Sequence, residues 1–122
     1  MVPMKVSIQI SIVIFFVFLL LFRVQAAGAE PQKITDSLKL ALGVAKNPTD
    51  KVATLLQLSR EYISVNLPKA LSYANQAYKI SLEADDEKDQ LNVMLSLIWL
   101  YYTGTNYTMA LDFAERSKEL AE

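Results

Sequence analysis

The chain has 122 residues, with 12 basic and 13 acidic side chains, and contains neither histidine nor cysteine. That composition excludes Ser-His-Asp and Cys-His nucleophile systems, disulfides and thiol chemistry, and it removes the usual zinc ligands. At a formal charge of −1 it also argues against nucleic acid as a partner.

The first element is an export segment at residues 1–29. Lys5 supplies a short basic start, Ile12 to Phe22 is an unbroken run of 11 apolar residues, and small residues follow. Val24-Gln25-Ala26 and Ala27-Gly28-Ala29 both fit a cleavage site, and the second is preferred. The alternative is an uncleaved membrane anchor over residues 6–22, which would rise about 26 Å against a hydrocarbon core of about 30 Å. Ser7, Gln9 and Ser11 weigh against that alternative. Losing Lys5 and Arg23 with the segment takes the formal charge from −1 to −3. The product is expected in the periplasm or outside the cell, with membrane contact only through this segment if it is retained.

Residues 30–49 read as a tether containing Pro31 and then a capping helix, with Thr35 or Asp36 as N-cap and Leu38, Leu42 and Ala45 on one face. Asn47-Pro48-Thr49-Asp50 ends that helix, and Thr49 or Asp50 can cap the next. The second helix is expected from about Asp50 to Ser64, with Val52, Leu55, Leu56, Ser59, Tyr62 and Ile63 inward. Pro68 suits the first turn of the third helix, which continues to about Glu83. The fourth, about Glu87 to Thr103, is the most apolar and should lie between neighbours. The fifth runs from about Thr108 to Ala121.

Little in these elements carries chemistry. None of the three glycines, Gly28, Gly43 and Gly104, sits in a phosphate-cradling loop. Asp85, Asp86, Glu87 and Asp89 lack the alternating ligands and central glycine of a calcium loop, and read as an N-cap and first-turn acids. No metal or cofactor is implied. Asn106-Tyr107-Thr108 has the form of a glycosylation acceptor, although Asn106 is better explained as a turn residue. A carboxylate-dependent hydrolase using Glu61 or Asp112 is the rival enzyme reading, and neither acid has a recognisable catalytic companion.

An internal repeat organises residues 50–122. Small residues recur at i, i+4 and i+7 as Ala70, Ala74 and Ala77, and 40 positions later as Ala110, Ala114 and Ser117. One helical stripe of small side chains lets another helix approach closely. Large apolar residues keep the same offset, Leu71 with Leu111, Tyr73 with Phe113 and Ile80 with Leu120. Paired amphipathic helices at such a period form a stack in which each unit buries its apolar face on its neighbours.

The stretch Leu97-Ile98-Trp99-Leu100-Tyr101-Tyr102-Thr103-Gly104-Thr105-Asn106-Tyr107-Thr108-Met109-Ala110-Leu111 resembles a tetratricopeptide repeat: a tyrosine ends the first helix, a Gly/Asn/Tyr turn follows, and Ala-Leu opens the second. The resemblance covers two units, about 50–84 and 87–121. Ile98 stands where the family prefers a small residue, whereas the first unit has Ser59 and a shorter turn. It implies an all-α fold, a right-handed α-α superhelix of about five helices after the N-terminal segment. It further implies a concave groove lined by the first helix of each pair, whose matching positions are Leu56, Arg60 and Ile63 in one unit and Asn92, Leu95, Trp99 and Tyr102 in the other. Tyr101 and Tyr107 match interior packing positions.

The implied function is a non-catalytic protein-interaction scaffold outside the cytoplasm, with an apolar helix or extended peptide as ligand. The layout of signal, Asp-Ser-Leu helix, Asn-Pro-Thr-Asp-Lys-Val-Ala junction and repeats also resembles the extracytoplasmic part of bacterial sensor histidine kinases and related regulators. The alternative is therefore a truncated sensory portion of such a protein. On that reading the last helix leaves Ala110, Phe113, Ala114 and Leu120 without a lid, and self-association through it is a further expectation.

Overall fold

A computed structural model describes residues 9–18 and 30–122, and among these residues every regular element is an α-helix. The fold class is all-α. Two compact units divide the chain, residues 1–34 and 35–122.

In the first unit, α1 covers residues 9–18 and leaves its large apolar side chains, Phe15, Phe16 and Phe18 among them, exposed. Among the described residues no helix is long and apolar enough to cross a membrane. Both cleavage triplets, and most of the flanks of the alternative anchor, lie outside the described residues.

The next helix, α2 (Glu30–Val44), begins earlier than expected. Pro31 is part of its first turn, where a missing N–H is no loss, so Thr35 and Asp36 fall inside the helix and cannot cap it. From Thr35 onward α2 belongs to the second unit. There Thr35 is buried and Leu42 packs on the core.

Four helices complete that unit: α3 (Pro48–Tyr62), α4 (Leu67–Glu83), α5 (Glu87–Thr103) and α6 (Tyr107–Ala121). Their starts share one device. Asn47, Asn66, Asp86 and Asn106 each accept a hydrogen bond from the backbone N–H three residues on, at 2.7, 3.1, 3.1 and 3.2 Å, and each such cap stabilises by about 1 kcal/mol. The cap of α3 is thus Asn47, rather than Thr49 or Asp50. The residue before a proline prefers an extended backbone, which is also what an N-cap adopts, and Asn47 has φ −99° and ψ 154° with Pro48 following as the first helical residue.

Two junctions are the same turn. After α4, the Asp85 and Asp86 N–H groups donate to Leu82 and Ser81 carbonyls at 3.1 and 3.2 Å; after α5, the Thr105 and Asn106 N–H groups donate to Tyr102 and Tyr101 at 3.0 and 2.8 Å. This is a Schellman closure, with Asp85 (φ 53°) and Thr105 (φ 62°) left-handed where glycine is usual. Asp86 and Asn106 therefore close one helix and cap the next.

Each of these helices packs on its sequence neighbour, α3 on α4, α4 on α5 and α5 on α6, and α3 also reaches α5. The close approach of α3 and α4 follows from the small stripe. Ala70, Ala74 and Ala77 are fully buried, and the buried Ser59 hydroxyl donates to the Ala70 carbonyl at 2.7 Å. The α5–α6 turn meets the start of α4 closely enough that a Cβ on Gly104 would lie 2.9 Å from Leu67 Cδ2.

Ala110 and Phe113 are buried, so that part of α6 is inside the fold and is not an uncovered face. Phe113 holds its place by stacking on Tyr101 at 5.8 Å and meeting Tyr78 edge-on at 5.4 Å. Tyr101 is half-buried, as its interior assignment required; Tyr107 is 58% exposed, against that assignment. Standing at the first residue of α6, Tyr107 turns sideways onto the exposed Tyr102 at 5.4 Å, edge to face.

Candidate functional site

A half-open cleft of about 880 Å³ lies between α3 and α5, within the range of volumes that ligand sites occupy. Six of the seven residues nominated from sequence line it: Leu56 and Arg60 from α3, Ile63 at its C-cap, and Asn92, Leu95 and Trp99 from α5. Leu56 is 7% exposed and forms part of the floor, while Ile63 is half-buried. Tyr102 is not part of the lining. It continues the same face of α5 beyond the cleft, stacked on Trp99 at a centroid distance of 6.5 Å.

The local reason is helical spacing. Leu95, Trp99 and Tyr102 stand at i, i+4 and i+7 and share one stripe of α5, while Val93, Met94, Leu97 and Leu100 supply the buried stripe. Being apolar on both stripes, α5 is only partly covered by its neighbours: Leu95, Trp99 and Tyr102 are 60%, 59% and 58% exposed. The expectation that this helix is buried between neighbours holds for one side of it.

Four charged side chains also line the cleft, Arg60, Asp86, Lys88 and Asp89. Arg60 and Lys88 are exposed, and Asp86 Oδ1 is engaged with the Asp89 N–H. Asp89 differs from the others. It is 8% exposed, and its Oδ2 is buried with no hydrogen-bond partner. Asp89 is the first-turn acid expected from sequence, and its burial is the part not expected. The signal was present in the spacing, because Asp89 leads the inward stripe continued by Val93, Leu97 and Leu100.

The remaining candidates for chemistry have local roles. Asp112 forms an ion pair with Arg116 at 2.8 Å on the surface of α6, and Glu61 is exposed on α3. Asn106 caps α6 through its side chain. Away from the cleft, the Lys69 ammonium lies over the Tyr62 ring, 4.6 Å from its centroid. The Lys69 ammonium held beside it lowers the Tyr62 phenol below its ordinary pKa, with a smaller contribution from Lys39. No family model, curated protein or solved structure matches the chain.

Proposed function

We propose that the chain is a non-catalytic protein-binding scaffold of the tetratricopeptide type, exported from the cytoplasm, with its helix pairs in a right-handed stack. The observation that carries this reading is the continuous exposed strip of Leu95, Trp99 and Tyr102, which runs along one wall of the cleft and beyond it. An exposed apolar patch rimmed by polar groups marks an interaction surface. The stack is supported by the 40-residue offset between the Asn66 and Asn106 caps, by the buried small stripe and by the α3–α5 contact. Export is supported by the apolar run around α1.

The strip sets the scale of affinity. At these exposures the three side chains offer roughly 300 Å² to a partner, or a gross gain of about 7 kcal/mol at about 25 cal/mol per Å². Association costs of about 4 kcal/mol or more absorb much of that. Apolar contact alone therefore gives weak binding, and a tight complex needs polar contacts as well.

The test is selection of a displayed library of random 16-residue peptides on the 122-residue chain. Selected peptides should carry apolar anchors at helical or alternating spacing and lose tenfold or more in affinity with Trp99→Ala or Leu95→Ala, while the melting temperature moves by only a few degrees. Absence of selected sequences, or binders indifferent to both substitutions, overturns the reading.

A further inference from the structure

Asp89 is the one charged side chain lining the cleft that is more than nine-tenths buried, and one of its carboxylate oxygens has no hydrogen-bond partner. Its own backbone N–H is satisfied by Asp86 Oδ1 at 3.1 Å. Its neighbour Gln90, equally buried, donates to the Ser81 carbonyl at 3.2 Å, so local packing is capable of satisfying a polar group at this depth. A buried carboxylate oxygen left unpaired is unfavourable, and native structures rarely retain one without a use. The helix N-terminus favours the negative charge and gives Oδ2 no donor. Among the described residues neither Arg60 nor Lys88, the two cations on the cleft, forms an ion pair with it. Both are exposed and solvated, so their charges make no comparable demand for an anionic ligand.

We propose that Asp89 is the specificity-determining acceptor of this cleft. Its occupant is a segment of a partner protein whose Lys or Arg side chain pairs with the Asp89 carboxylate, drawing the buried Oδ2 round into the cleft as it binds, while flanking apolar residues lie on Leu95 and Trp99. The proposal rests on the scaffold reading above and names the partner chemistry of the same site. The buried carboxylate selects a basic side chain over a neutral one, because insertion of a neutral apolar group leaves Oδ2 both desolvated and unpaired. Arg60 and Lys88, at the exposed margin, disfavour a second basic residue beside the first, so the recognised pattern is one cation among apolar anchors.

The same library selection tests this. Peptides selected on the 122-residue chain should share a single Lys or Arg at fixed spacing from the apolar anchors. Replacing that residue by norleucine in the peptide should weaken binding to the unaltered chain tenfold or more. Asp89→Asn, which keeps shape and removes charge, should weaken the basic peptide by a similar factor and the norleucine peptide little, leaving the two changes strongly coupled. The peptide-side comparison needs no altered protein, so it decides the matter even if Asp89→Asn folds poorly. Apolar peptides selected without a basic position, or a norleucine peptide that binds equally well, would overturn the role of Asp89 and leave the scaffold reading standing. A library yielding no binders overturns both.

Discussion

Thr105 is a β-branched residue at φ 62°, in a conformation that costs an L-residue roughly 1–2 kcal/mol and glycine almost nothing. Its side chain is exposed, so Thr105→Gly should sacrifice little packing. The substitution adds about 0.5–1 kcal/mol of conformational entropy to the unfolded chain, which works against it. The difference leaves a net stabilisation of about 0.5–1 kcal/mol. For a unit of this size that corresponds to a rise in melting temperature of roughly 3–6 °C. Asp85 occupies the equivalent place at φ 53°, but aspartate visits the left-handed region more readily than a β-branched residue. Asp85→Gly should therefore change stability by less than about 0.5 kcal/mol, and Thr105→Ala, which keeps a Cβ, should gain less than Thr105→Gly. Reversible thermal and urea unfolding followed by circular dichroism at 222 nm measures all three, with an unchanged urea dependence as the check that the folded state is the same. A lower midpoint for Thr105→Gly, or a gain for Asp85→Gly as large or larger, would refute the argument from backbone strain.

Ala77→Leu forces three extra carbons into a fully buried place on the small stripe and should cost about 1–3 kcal/mol or more, read from the urea midpoint. Ser59→Ala removes the hydroxyl that donates to the Ala70 carbonyl and should cost about 1 kcal/mol in the same assay, with Ser59→Thr no full rescue because the extra methyl meets the close α3–α4 contact. In a spectrophotometric titration at 295 nm, a phenol with a midpoint below the ordinary value of 10.0 should be present in the unaltered chain and move upward in Lys69→Gln.

The helices of the second unit were legible in sequence to within two or three residues at nearly every end, because asparagine or aspartate before an apolar-periodic run signals a start and proline two positions on fits only a first turn. The buried alanines of α4 and most inward residues of α3 were legible from the same periodicity, whereas Leu58, fully buried, was not among those expected inward. Pro31 misled by being read as a tether when its chemistry also suits the opening of a helix. Tyr107 misled because a family position implies a buried face, whereas the ring at the first residue of α6 found Tyr102 beside it. Six of the seven groove residues nominated through the family resemblance share one cleft, since helical spacing gives each set one stripe and the packing of α3 beside α5 brings the two stripes together. Asp89 went unnoticed as part of that cleft because an acid near a helix start has a ready local explanation, and only the packing of neighbouring helices decides how much water reaches it.

Trp99 is the only tryptophan in the chain, and it stands at the wall of the cleft with more than half its surface in water. The protein thus carries an optical reporter at the place where a ligand would lie and nowhere in the core. Its emission should sit at the long-wavelength end in the free chain and change little on unfolding, yet move to shorter wavelength when a peptide covers the ring. Occupancy and folding, which a buried tryptophan would report together, can here be followed as separate signals in a single unlabelled sample.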